Sequence, residues 1–206
     1  MRKFEFTKDY VEMLKDEFDP QQGISLEEFL EEKKDVLLPK RATSGSGGYD
    51  LVVPFDIVVP SYFRLFFDQL DLHANLDTMS DFIYLLNHIG VDNPLLVDKA
   101  LNPTLVPTYV KAKMEDDEVL KIYARSSLFK RHKLILSNSV GIIDSSYYGN
   151  PDNDGHIMIP VINLSWEDKV IKRGERIAQG VFQKYLITDD DKAIGDRTGG
   201  FGSTNR

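Results

Sequence analysis

The sequence contains no cysteine. That excludes a disulfide framework, a thiolate metal site and a cysteine nucleophile together. Positive charge is also scarce, with 25 Lys and Arg against 33 Asp and Glu and a formal net charge of -8. Such a balance repels a polyanion at long range, so binding to nucleic acid is not expected, and any phosphate must be held locally. No apolar run approaches the length of a membrane span, and the acidic, helix-patterned start lacks the form of a signal peptide. The expectation is a cytoplasmic protein with no membrane contact. His73 and His88 have neither a cysteine nor a second histidine at ligand spacing, so both read as surface or packing residues.

What is present suits one compact domain, since 206 residues at 42% hydrophobic can bury a sizeable core. RKFEF at residues 2–6 alternates polar and apolar, as an edge strand would. A helix is expected from Thr7 to Phe18 with Val11, Leu14 and Phe18 on one face. A second opens at Ser25, where Ser25 and Glu28 have capping-box spacing, and Pro39 ends it. Residues 39–51, PKRATSGSGGYDL, form a small-residue loop feeding the strand pattern LVVPFDIVV, in which Pro54 points to an edge or bulge. Residues 61–102 turn helical again, with Phe82, Leu85, Leu86 and Ile89 at helical spacing, and read as an insertion.

Strand character returns at residues 104–113 and 119–130. Directly after a strand, Arg125, Ser126 and Ser127 put a guanidinium fork, two hydroxyls and backbone N–H groups at one spot, as phosphate oxygens require. A solvated loop would look similar. The chain is organised around LILSNSVGIIDSSYY, residues 134–148, two short strands split by Ser137, Asn138 and Ser139. Asp144 falls where the second strand stops, and Tyr147 follows three positions later, so a carboxylate and a ring could serve one pocket. An Asp starting a turn beside a core Tyr is the plainer alternative. Further on, IMIPVINL at 157–164 reads as a strand, and KRGERIAQGVF at 172–182 as a turn at Gly174 and a strand carrying Gln179. The tail GDRTGGFGSTNR, residues 195–206, combines glycines with Arg197, Phe201, Ser203 and Thr204 and reads as a lid.

Taken together, ATSGSGGYDL, ARSSL, NSVGIIDSSYYG, GERIAQGVF and RTGGFGST resemble the five motifs of the trimeric dUTP pyrophosphatases, in order and from residue 42 to the C-terminus. The likeness is to the Firmicute and phage type. The first 38 residues and the stretch 61–102 lie outside it. The resemblance implies a mainly β fold, a dUTPase-like β-jelly roll (β-clip), with a helical N-terminal extension (1–38), a helical insertion (61–102) and a mobile lid (195–206). It implies a homotrimer with active sites at subunit interfaces, dUTP as substrate and Mg2+ as cofactor. Asp144 would be the general base that activates water for attack on the α-phosphorus. Asn138 would read the uracil edge with backbone of the surrounding hairpin, Gly141 and Gly202 would be further substrate-binding positions, and Tyr147 would lie under the deoxyribose and exclude a 2′-hydroxyl. Arg125, Ser126, Ser127 and Gln179 would hold phosphates, Arg197, Ser203 and Thr204 would close over them, Phe201 would stack on uracil, and Asp50 would orient water on the magnesium.

The chain departs from the family pattern at Ser146, Tyr148 and Ser127, and in NPDNDGH, residues 150–156, a lengthened turn. Two other readings of the fold stay in play. The related dCTP deaminases share it but use a glutamate where Pro160 aligns here, and a nucleotide-responsive regulatory protein would use the added helices to contact a partner.

Overall fold

Short β-branched and aromatic runs, each cut by a proline, a turn or a left-handed residue, give strands of only three to nine residues. The structure is a computed structural model and describes residues 1–69 and 102–193. Four of its strands form one antiparallel sheet in the order β2 (Tyr49–Val52), β11 (Arg176–Lys184), β6 (Glu118–Ala124) and β8 (Val140–Asp144). A second sheet has the order β4 (Thr104–Pro107), β9 (Met158–Asn163) and β7 (Leu134–Leu136). Two antiparallel pairs complete the body: β1 (Lys3–Phe6) with β5 (Val110–Lys113), and β3 (Ile57–Val59) with β10 (Lys169–Ile171). Leu51, Leu120, Ile122 and Ile177 from the first sheet meet Val106, Leu134, Leu136, Ile159 and Val161 from the second in one buried core. The alternation of buried and exposed residues along β9 is what a strand with one face on a core produces.

The N-terminal segment builds a smaller core of its own. In α1 (Lys8–Asp16), Tyr10 and Leu14 stand four apart on one face and are both buried. They meet Phe6, Phe29 and Leu37, and through Val52 and Val110 this cluster joins the body. Helix α2 (Leu26–Leu37) starts with a complete capping box, Ser25 Oγ accepting Glu28 N–H at 3.2 Å and a Glu28 carboxylate oxygen accepting Ser25 N–H at 2.8 Å. It stops before Pro39, with Leu38 already extended, as the residue before a proline prefers.

Three expectations change in detail. The pattern at 119–130 is strand only to Ala124; Arg125 is the N-cap of a short helix α4, Ser126–His132, which buries Leu128 and ends at Lys133 in the left-handed region. The run 104–113 is two strands, because Tyr109 takes a positive φ of 54° and passes the chain from β4 to β5. The strands β7 and β8 do not pair with each other: β7 adds to β9 and β8 to β6, so Ser137–Ser139 carries the chain between sheets. Period-two patterning identifies strands but carries no information about partners. Of the insertion, α3 (Tyr62–Gln69) is described; His73, His88 and the pattern at 82–89 lie outside the described residues.

Candidate active site

Strand β8 brings the central residues together. Gly141 sits opposite Ile122 in the ladder with β6, and a methyl group there would lie 3.1 Å from Ile122 Cβ and 3.5 Å from Asn138 Nδ2. The missing side chain is what leaves room for the Asn138 amide. Asn138, Gly141 and Tyr147 line one cavity of about 230 Å³. Apart from the His156 ring, its other walls are apolar, from Ile122, Leu136 and Ile143 and from Ile157, Met158, Ile159 and Pro160. No acidic residue is in that lining. Asp144 is the last residue of β8, exposed, and leads into a 3₁₀ turn, Ser145–Tyr147, that drops the Tyr147 ring to 5% exposure. At this one strand end the acid is exposed and the ring is buried.

A second constellation surrounds Arg125. The start of α4 and the turn before β11 enclose a cleft of about 280 Å³ lined by Arg125, Ser126, Ser127, Arg131, His132 and Arg176, among others. Behind it stands Asp50, buried to 7% on β2. One Asp50 carboxylate oxygen meets Arg125 Nε at 3.1 Å and the other accepts a hydrogen bond from Arg176 at 3.2 Å. A buried carboxylate between two guanidinium groups fixes both, and each oxygen keeps a lone pair for a further donor. Sequence reading missed Arg176 and Arg131. Arg176 shares β11 with Gln179, but it reaches Asp50 because β11 lies antiparallel against β2, a pairing that sequence spacing does not record. Gln179 packs on the small-residue loop, where a methyl group on Gly48 would come within 2.7 Å of its Oε1. That contact gives Gly48 a reason to be glycine. Arg197, Phe201, Gly202, Ser203 and Thr204 lie outside the described residues.

His156, also absent from the sequence reading as a site residue, lines the cavity of Asn138 and Tyr147 from the turn before β9. Its Nε2 accepts the backbone N–H groups of Thr108 at 3.2 Å and Tyr109 at 2.8 Å, and its ring stacks on Tyr109 at 4.7 Å. Burial pulls its pKa down to about 4. At neutral pH it is an uncharged acceptor that holds the β4–β5 kink.

The dUTPase family model matches residues 88–205, more than half of the chain. The chain belongs to the dUTPase family. Among curated family members it is 50% identical over 102 residues to the deoxyuridine 5'-triphosphate nucleotidohydrolase of Lactococcus lactis, covering 48% of this chain and 68% of the relative. It is 40% identical over 111 residues to that of Finegoldia magna, covering 52% and 73%. Among solved structures, the dUTPase of Streptococcus mutans superposes with a TM-score of 0.58 at 30% identity, over 90% of this chain and 98% of that one. A likeness that leaves so little uncovered reaches past the five motifs. As a dUTPase the chain is an enzyme of nucleotide metabolism. No group of three or more His, Cys, Asp or Glu among the described residues could cage a metal ion. Nor is any helix among them long and apolar enough to cross a membrane.

Proposed function

We propose that this dUTPase hydrolyses dUTP to dUMP and pyrophosphate in the cytoplasm, with Asp144 as the general base. The observation that carries this reading is the sharing of one short strand by the base cavity and the acid: Gly141 opens the pocket and Asp144 closes the strand three residues later. Asn138 has both donors and an acceptor to offer a uracil edge, and Tyr147 supplies a flat buried wall for the deoxyribose. Asp144 takes a proton from water as the water oxygen bonds to the α-phosphorus. The bond from that phosphorus to the bridging oxygen then breaks, and pyrophosphate leaves. Arg125, Ser126, Ser127 and Gln179 hold phosphate oxygens, where fixed donors stabilise charge that builds in the transition state. Mg2+ bound to the triphosphate would supply further charge neutralisation. With both its oxygens engaged by arginines, Asp50 suits contact to that ion through water rather than direct ligation. The tail, with Arg197, Phe201, Gly202, Ser203 and Thr204, closes over the nucleotide, and deletion from Arg197 onward removes most hydrolysis while the fold survives.

The active site is shared between subunits of a homotrimer. What supports this is that the base cavity and the Arg125 cleft of one chain have no lining residue in common. β8 and β7 are edge strands, and Ile142 and Ile135 on them are 53% and 37% exposed, as surfaces awaiting a neighbour would be. The test mixes two inactive variants, Asp144→Asn and Arg125→Ala, after unfolding and joint refolding. Recovered dUTP hydrolysis is expected, because some mixed sites pair an intact acid with an intact arginine. No recovery, with subunit exchange verified by mass, would place both residues in a site belonging to one chain.

The deaminase alternative is disfavoured by the cavity wall itself. Pro160 lies on β9 among apolar residues, where a deaminating enzyme would need its carboxylate. Incubation with dCTP is expected to yield neither dUTP nor dUMP.

A further inference from the structure

Tyr147 is held from behind by the lengthened turn. Its hydroxyl accepts a hydrogen bond from Asn153 Nδ2 at 2.7 Å and donates to the His156 carbonyl oxygen at 3.1 Å. The same Asn153 organises the turn: its side-chain oxygen accepts Gly155 N–H at 3.1 Å and its carbonyl accepts His156 N–H at 3.0 Å. Gly155, at φ +81°, lets the turn lie against its own origin, since a methyl group there would come 2.5 Å from the Tyr147 carbonyl oxygen. The turn is anchored in its turn by the N-terminal segment. Asp154 accepts Lys8 N–H at 2.9 Å and pairs with Lys111 at 2.7 Å, while Tyr148, beneath the Lys111 ammonium, donates to Glu5. Three segments that the five motifs do not cover or explain, the N-terminal extension, Tyr148 and residues 150–156, are thus one connected support.

We infer that Asn153 is a positioning residue for sugar selection, which clamps the Tyr147 phenol so that its ring cannot retreat from a 2′-hydroxyl, with Asp154 tying that clamp to the N-terminal extension. The inference rests on the reading of Tyr147 as the wall beneath the deoxyribose. A flat wall rejects one extra oxygen only while it is stiff, because a shift of a fraction of an ångström removes the clash. Aliphatic neighbours in the cavity confine the ring without directing it, whereas the two hydrogen bonds of its hydroxyl are directional and fix its rotation and depth.

The test is steady-state hydrolysis of dUTP and UTP by the wild type, Asn153→Ala, Tyr147→Phe, the double variant and Tyr147→Ala. Asn153→Ala is expected to lower the dUTP/UTP ratio of kcat/KM about tenfold, through a lower KM for UTP, with kcat for dUTP held within about twofold. Tyr147→Phe, which keeps the ring and loses both hydrogen bonds, should lower the ratio by a similar factor, and adding Asn153→Ala to it should change little more. An unchanged ratio in Asn153→Ala and Tyr147→Phe, while Tyr147→Ala collapses it, overturns the clamp and leaves the wall. An unchanged ratio in Tyr147→Ala overturns the reading of Tyr147 on which the clamp rests. If Asn153→Ala melts below the assay temperature, Tyr147→Phe decides alone.

Discussion

The cavity proposed to take the base and the arginine cleft are of similar size, about 230 and 280 Å³, and are built on opposite principles. The first is lined mostly by apolar side chains with the Tyr147 and His156 rings and the Asn138 amide, and its shape is set by ladder register and by the absence of a side chain at Gly141. The second is lined by Arg125, Arg131 and Arg176 and is held in shape by ion pairs to Asp50. A neutral base offers few charges to grip, so its pocket must be rigid before the ligand arrives. A triphosphate brings its own charge, so its cleft needs anchored cations and tolerates an open mouth. On the proposed reading, a chain of net charge -8 meets its polyanionic substrate through this local group of arginines and not through its overall charge.

The largest expected effect falls on the acid that ends β8. Asp144→Asn should bind dUTP normally and turn it over at least about a hundredfold more slowly, the usual scale of general-base catalysis by a carboxylate. Single-turnover kinetics beside equilibrium binding check this, and near-normal turnover would remove Asp144 from the mechanism. The next effect belongs to the base cavity alone. His156 has its pKa lowered by burial from 6.5 to about 4, so the unfolded chain takes up a proton in that window that the folded chain refuses. Stability from this group is complete above about 6.5 and is lost as pH falls towards about 4, by up to about 3 kcal/mol. Denaturant unfolding across that range should be steeper in the wild type than in His156→Gln. Equal slopes would mean that His156 does not hold the β4–β5 kink as a neutral acceptor.

The same contrast explains which parts of the molecule are legible in its sequence. Part of the arginine cleft announces itself by type: Arg125-Ser126-Ser127 after a strand is a local pattern whose chemistry follows from the side chains, whereas Arg131 and Arg176 join it only through the fold. The helix that presents Ser126 and Ser127 is not legible, because Leu128 falls in phase with the alternation of Leu120 and Ile122 and a seven-residue helix is too short to show a period of its own. The base cavity is legible only in part. Asp144 and Tyr147 lie in one short stretch, but His156 and the wall from Ile157 to Pro160 reach the cavity through the β7–β9 pairing, a long-range choice that no local spacing records. Asn153 is hidden for the same reason, since its contact with Tyr147 depends on two positive-φ glycines, Gly149 and Gly155, folding the turn back on itself.

A smaller effect separates the two regions directly. Asp50→Asn removes the charge that anchors Arg125 and Arg176, and a lost charge-assisted contact of this kind is worth about 1.5 kcal/mol, or roughly tenfold. kcat/KM for dUTP should fall by about that factor while the affinity for deoxyuridine, which has no phosphate, stays unchanged. A parallel fall in deoxyuridine binding would show that the base cavity depends on the ion pairs after all.

The smallest expected effect probes the opposite side. A methyl group at Gly141 would meet Ile122 Cβ at 3.1 Å and the Asn138 amide at 3.5 Å, close enough that the amide or the strand must shift by a few tenths of an ångström. Gly141→Ala should therefore weaken binding by about 1 kcal/mol, roughly fivefold, with the fold intact. The factor should be the same for deoxyuridine, dUMP and dUTP, because the displaced amide touches only the part those ligands share. A loss confined to dUTP would mean that the cavity beside Asp144 receives phosphate rather than base, and the assignment of the two regions would have to be exchanged.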